Sequence, residues 1–147
     1  MTTREHLINA VQDGNTIEVK RLLEHGADVN ARNDGGDTLL HVACLYGRLK
    51  IARLLLEHGA DINAKQTHGG KTPLDLACLH YETSLVRLFL EAGADPTILD
   101  AWGFGPLDRV TVTKRHDPIR EEILDLFRQY APDLVMEAWC TQAPGGM

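Results

Sequence analysis

The sequence predicts an all-α solenoid of stacked helix-turn-helix units, on three observations. First, the stretch Leu22-Leu23-Glu24-His25-Gly26-Ala27-Asp28-Val29-Asn30 returns as Leu55–Asn63 at a shift of 33 and as Phe89–Thr97 at a shift of 34. Second, Thr38-Leu39-Leu40-His41-Val42-Ala43-Cys44 runs in step with it, returning as Thr72–Cys78 and, shortened, as Gly105-Pro106-Leu107-Asp108. Third, the apolar residues between these blocks, such as Leu49, Ile51, Ala52, Leu54, Leu55 and Leu56, follow a helical rather than an alternating pattern. Two short helices and a turn cannot enclose a core alone, whereas stacked copies bury a continuous one.

Taken in order, residues 4–33 form an N-terminal cap of two helices with no preceding turn, with Arg4 and Glu5 on its solvent side. Residues 34–66 and 67–99 are full units. Thr38 and Thr72 are placed as N-caps, and Pro73 and Pro106 take the first helical position. Gly47 closes one first helix, and Gly26, Gly59 and Gly93 supply the left-handed residue that ends each second helix. Tyr81 stands where Gly47 closes the equivalent helix, so that end is expected to differ or to be strained. Between units lie polar, glycine-rich stretches such as Asn63 to Lys71, read as turns, with one residue inserted near Thr67.

Residues 100–133 form a C-terminal capping unit. Its inter-helix loop, Thr113 to Asp117, is long, and Asp117-Pro118 restarts the second helix. Gly105 replaces the capping Thr and Arg109 enters where Val42 and Leu76 stand, so this first helix is expected to be less regular or to turn a polar face to water. Residues 134–147 form a tail in which Leu134, Val135, Met136 and Trp139 are placed to dock over the last helix.

These blocks resemble the ankyrin repeat family: a Thr-Pro-Leu-His-type turn, a small-residue helix and a Gly-Ala-Asp-x-Asn ending match its unit of about 33 residues. The resemblance runs over residues 4–133 and makes 1–133 one repeat domain. It implies short β-turn or hairpin connections and a non-catalytic protein–protein interaction module. It also implies that His41 ties neighbouring turns. Asn30 and Asn63 match the ankyrin asparagines that are hydroxylated in animal proteins, although an Asn there also satisfies turn backbone. The turn Asp100-Ala101-Trp102-Gly103 is similar to small ankyrin-class inhibitors of cyclin-dependent kinases, a narrower alternative carried by four residues.

Composition excludes other classes. The 147 residues carry a net charge of −6, against a nucleic-acid partner, whose phosphates need a concentrated positive surface. There is no apolar run of 18 residues and no secretory leader pattern, so no membrane span is expected. Three Cys make no disulfide framework, which fits a reduced, cytoplasmic setting. Gly70-Lys71-Thr72 looks like the end of a phosphate-binding loop, but Lys65 stands where its first Gly is needed and no strand precedes it. Seven His include no metal-ligand spacing, so neither metal nor cofactor is expected, and no catalytic residue is nominated. Cys44 and Cys78 read as free core thiols, and Cys140 lies in the tail.

The resemblance implies that binding uses the turn tips and the exposed face of each first helix. By register these are Asp13, Asp34, Asp37, Leu45, Tyr46, His68, Lys71, Leu79, His80, Trp102, Phe104 and Val112. The set is acidic at its N-terminal side, neutral to basic in the middle and rich in apolar residues, among them the aromatic types that anchor interfaces. An unidentified protein partner for a monomeric chain is the expectation. The alternative is a structural or self-associating stack, in which Trp102 and Phe104 fold down and close the array.

Overall fold

The structure, a computed structural model, describes residues 1–111 and 117–135. Its helices are α1 (Thr3–Asp13), α2 (Thr16–Glu24), α3 (Leu39–Leu45), α4 (Leu49–Glu57), α5 (Pro73–Leu79), α6 (Thr83–Glu91), α7 (Pro106–Thr111) and α8 (Pro118–Tyr130). They pair as α1–α2, α3–α4, α5–α6 and α7–α8. The first helices form one row, α1·α3·α5·α7, and the second helices another, α2·α4·α6·α8. The expected all-α solenoid is observed, and Arg32 and Thr38 make an isolated antiparallel bridge in a connection.

The ends of the first helices α1, α3 and α5 are chemically fixed, and α3 and α5 run for only seven residues each. The Thr38 hydroxyl accepts from the backbone N–H of His41 while the His41 ring returns to the Thr38 N–H, a closed capping box. Thr72 and Asp75 repeat it in α5, with Pro73 in the first turn. Left-handed residues end these helices: Gly14 at φ +75°, Gly47 at +66° and Tyr81 at +54°. Tyr81 therefore takes the strained geometry rather than changing the helix end. Gly26, Gly59 and Gly93, at +89°, +86° and +86°, close the second helices. The rings of His25 and His58 reach back through Nδ1 to the carbonyls of Arg21 and Leu54, capping those ends with a donor.

The core lies between the rows and is continuous from Leu7 to Val135. Leu39, Leu55, Leu74, Phe89, Ile123 and Phe127 are fully buried in it. Ala43 and Ala77 are also fully buried, small enough to let adjacent first helices approach closely. At the C-terminal end Val135 is buried and Leu134 packs on the core, as the docking expectation has it for those two residues. Met136, Trp139 and Cys140, and the loop from Thr113, lie outside the described residues apart from Asp117, whose carboxylate accepts the Ile119 N–H at the start of α8.

A candidate partner-binding strip

Three turn tips project between units, each closed by a backbone bond across its base. Asn33 N–H donates to the Asp37 carbonyl at 2.9 Å, and Asp100 N–H to Phe104 at 2.8 Å. The second tip is one residue longer, with Gln66 N–H donating to Lys71 at 2.9 Å, and it contains two successive left-handed glycines, Gly69 and Gly70. This is the insertion expected near Thr67.

The tips are stitched together. Thr67 N–H donates to Gly36 at 3.1 Å, and Ala101 N–H to Gly69 at 3.0 Å. His41 Nδ1 accepts the Thr38 N–H, which leaves Nε2 to donate to the Lys71 carbonyl at 2.8 Å. Burial holds His41 below the ordinary imidazole range, against that carbonyl bond, so the ring is neutral at pH 7. Arg32 donates to the Gly36 and Lys65 carbonyls, both at 2.8 Å. Between the second helices and the tips, Asn30 Oδ1 accepts from Asp61 N–H and Asn63 Oδ1 from Asp95 N–H, each at 2.8 Å. The two asparagines thus act as inter-unit ties.

The strip residues fall into two groups. Leu45 and Tyr46 at the end of α3, Leu79 and His80 at the end of α5, and Trp102 and Phe104 on the third tip are exposed. Trp102 is 67% exposed and has not folded down into the stack. Its ring lies beneath the Lys71 ammonium, 4.8 Å from the ring centroid, and its outer edge rests against Gly69. Phe104 carries the Arg109 guanidinium over its ring at 5.6 Å. Asp13 and His68 are exposed. Asp34 is exposed and paired with Arg4 at 3.1 Å, beside a shallow depression lined by Glu5, Ile8 and Asn9. Asp37 is half-buried and holds Gln66 Nε2 at 2.6 Å, so its carboxylate is already engaged between tips. Val112 lies outside the described residues.

The supporting roles of two residues escaped the sequence reading. Asp100 is buried, and one carboxylate oxygen accepts the N–H groups of Trp102 and Phe104 at 2.9 and 3.0 Å. Its other oxygen is paired with Arg109. Burial alone would raise its pKa, but those two N–H groups and the guanidinium hold it below the ordinary carboxylate value. Its alignment with Asn33 was the available signal. Arg109 does not turn to water: its side chain is 17% exposed and closes the third tip from inside. Nearby, Asp75 occupies the place of His41 and makes no bond to the next turn among the described residues. Burial raises its pKa, opposed by Thr72 and by the positive charge of Arg109, and its second oxygen is unpartnered among the described residues. The thiols of Cys44 and Cys78 are free and buried, and burial raises both pKa values. That leaves them poor nucleophiles. Among the described residues no group of three His, Cys, Asp or Glu is placed to hold a metal, and no helix is long and apolar enough to cross a membrane.

Stacked two-helix units with stitched turns define a repeat scaffold, a class in which a continuous framework carries variable surface positions. The family model for ankyrin repeats, in three copies, matches residues 7–100, well over half of the chain, and the chain belongs to the ankyrin-repeat family. Ankyrin repeats are in general protein–protein interaction modules, and the family is typically non-catalytic. No curated protein matches the chain.

Proposed function

We propose that this protein is a non-catalytic binding module whose protein partner docks on the strip of turn tips and first-helix ends. The observation that carries the reading is the exposure of large apolar side chains at equivalent positions of successive units. Leu45 and Tyr46 are matched by Leu79 in the next unit, and Trp102 and Phe104 stand on the neighbouring tip. Clustered exposed apolar residues mark partner sites, and Trp and Tyr carry much interface energy. A monomer in the cytoplasm that binds no nucleic acid is part of the same proposal, supported by a net charge of −6 and three cysteines. The test is affinity capture from lysate with wild type and Tyr46→Ala/Trp102→Ala/Phe104→Ala, both checked by thermal melt. A partner kept by wild type and lost from a folded variant supports the strip. Unchanged capture by the folded variant, or a variant that melts much earlier, would overturn the strip reading.

A further inference from the structure

The three tips differ in what fills them. In the first, Asn33 Oδ1 accepts the Asp37 N–H at 2.9 Å, and in the third, Asp100 Oδ1 accepts two N–H groups. Gln66 stands at that place in the second tip, and its side chain reaches away to Asp37 instead. Among the described residues, no acceptor in the chain meets the backbone N–H of His68, Gly69, Gly70 or Lys71. Successive N–H groups around left-handed residues can converge on an anion. Two lysines lie beside the two left-handed glycines of this tip. A Cβ on Gly70 would lie 3.6 Å from Lys65 Cε, and one on Gly69 would lie 3.3 Å from Lys71 Nζ. Neither lysine forms an ion pair among the described residues. Trp102 lies against the same glycine, anchored by its tip and by Lys71 and otherwise open. A ring already held in place loses little freedom on binding.

We infer that the second tip is a nest for a carboxylate of the partner, and that with Trp102 it forms a two-part docking site for an acidic peptide segment. An Asp or Glu side chain takes the N–H groups between Lys65 and Lys71, in the role that Asp100 Oδ1 plays inside the third tip. A neighbouring apolar or aromatic side chain lies on Trp102. The inference rests on the strip reading and names the partner chemistry at one part of it.

The test begins with a phage-displayed library of random peptides panned on the full chain. Enriched sequences are expected to carry Asp or Glu beside an apolar or aromatic residue. The best synthetic peptide is then titrated in a double-mutant cycle, pairing its Glu→Gln (or Asp→Asn) form with Lys65→Gln/Lys71→Gln protein. Each change alone is expected to weaken binding at least tenfold, and both together little more than either. Trp102→Leu is expected to weaken it at least tenfold as well. The peptide substitution cannot affect folding, and melts check the protein variants. Enrichment of peptides without acidic residues, no enrichment, or an additive cycle would overturn the inference. So would a more than tenfold gain when phosphoserine replaces the acidic residue, which would reassign the nest to phosphate. Binding indifferent to the second tip but lost with Tyr46→Ala overturns the nest and leaves the strip. Binding indifferent to every strip substitution overturns both.

Discussion

Asp100 and Arg109 form a buried ion pair that holds the third tip in shape from within. One Asp100 oxygen organises the turn that presents Trp102 and Phe104, and the other meets the guanidinium, which also lies over the Phe104 ring. Removing one partner of a buried pair leaves an uncompensated charge and costs about 3–5 kcal/mol. Arg109→Leu is therefore expected to lower stability by about 3 kcal/mol, toward the low end because two N–H groups still serve Asp100. Asp100→Asn/Arg109→Leu recreates the first tip, where Asn33 is followed by Val42, and should recover most of the loss. Urea unfolding of the three proteins checks this. A double variant no more stable than Arg109→Leu would deny the pairing.

Two left-handed glycines separate backbone strain from crowding. Gly59 has φ +86° and open space around it, so Gly59→Ala is expected to cost about 1 kcal/mol, from the conformation alone. Gly36 has φ +84°, and a Cβ there would lie 2.4 Å from the Thr67 Cβ. Thr67 cannot yield easily, because its own N–H is bonded to the Gly36 carbonyl. Gly36→Ala should therefore cost at least twice as much and loosen the second tip. Chemical denaturation gives the costs, and amide exchange at Thr67 reports the loosening. Equal costs would mean that the tips are not in close contact.

Legibility followed the repeat. Helix ends, cap residues and the exposed positions Leu45, Tyr46 and Leu79 could be placed because each is set by its own unit's register. The tip insertion was visible as a shift of 34 instead of 33. Hidden from the sequence were side-chain pairings within a tip and between tips, since register fixes a residue's place but not its partner. Arg109 reads as a sign of an irregular helix or of a polar face turned to water, because its partner Asp100 lies in a turn rather than on a helix face. Asp37 looked like a free tip carboxylate until Gln66, from the next tip, was seen to take it. Tyr81 went the other way: the backbone position was legible, and the stack imposes the left-handed conformation on a residue that resists it.

His41 and Asp75 occupy equivalent places and should respond oppositely to pH. The folded pKa of His41 lies below its ordinary value of 6.5, burial being the larger cause. Its contribution is thus fully present above the unfolded value and is lost as pH falls below it. Wild type should lose stability from pH 7.5 to 5.5, and His41→Gln should be less stable at pH 7.5 but respond less to this acidification. The folded pKa of Asp75 lies above the ordinary 3.8, again through burial first. Its contribution is present below that value and is lost as pH rises through the raised one. Asp75→Asn, which keeps an acceptor for Thr72, is expected to raise the melting temperature at pH 7.5 and to lose that gain near pH 4. Melts across this range check both signs. Parallel curves for wild type and His41→Gln between pH 7.5 and 5.5 would deny the first, and a lowered melting temperature for Asp75→Asn at pH 7.5 the second.

The asparagine ties lie in the connections that follow the second helices and stop at a definite place. Asn30 reaches Asp61 and Asn63 reaches Asp95, whereas Thr97 turns its hydroxyl back to its own Asp95 at 2.6 Å. Each tie supplies an acceptor to a backbone N–H of the next unit. A hydrogen bond of this kind contributes about 1 kcal/mol, and more when its loss strands a group away from water. Asp95 is half-buried and Asp61 exposed, so Asn63→Ala should cost more than Asn30→Ala, at roughly 1–2 kcal/mol against about 0.5–1. Asn63→Asp keeps the acceptor and should cost less than Asn63→Ala at pH 7. Amide exchange at Asp95 gives a second reading, because only loss of the Asn63 oxygen exposes that N–H. If exchange there is unchanged in Asn63→Ala, the tie does not hold the second and third units together, and their stability comes from the helix rows alone.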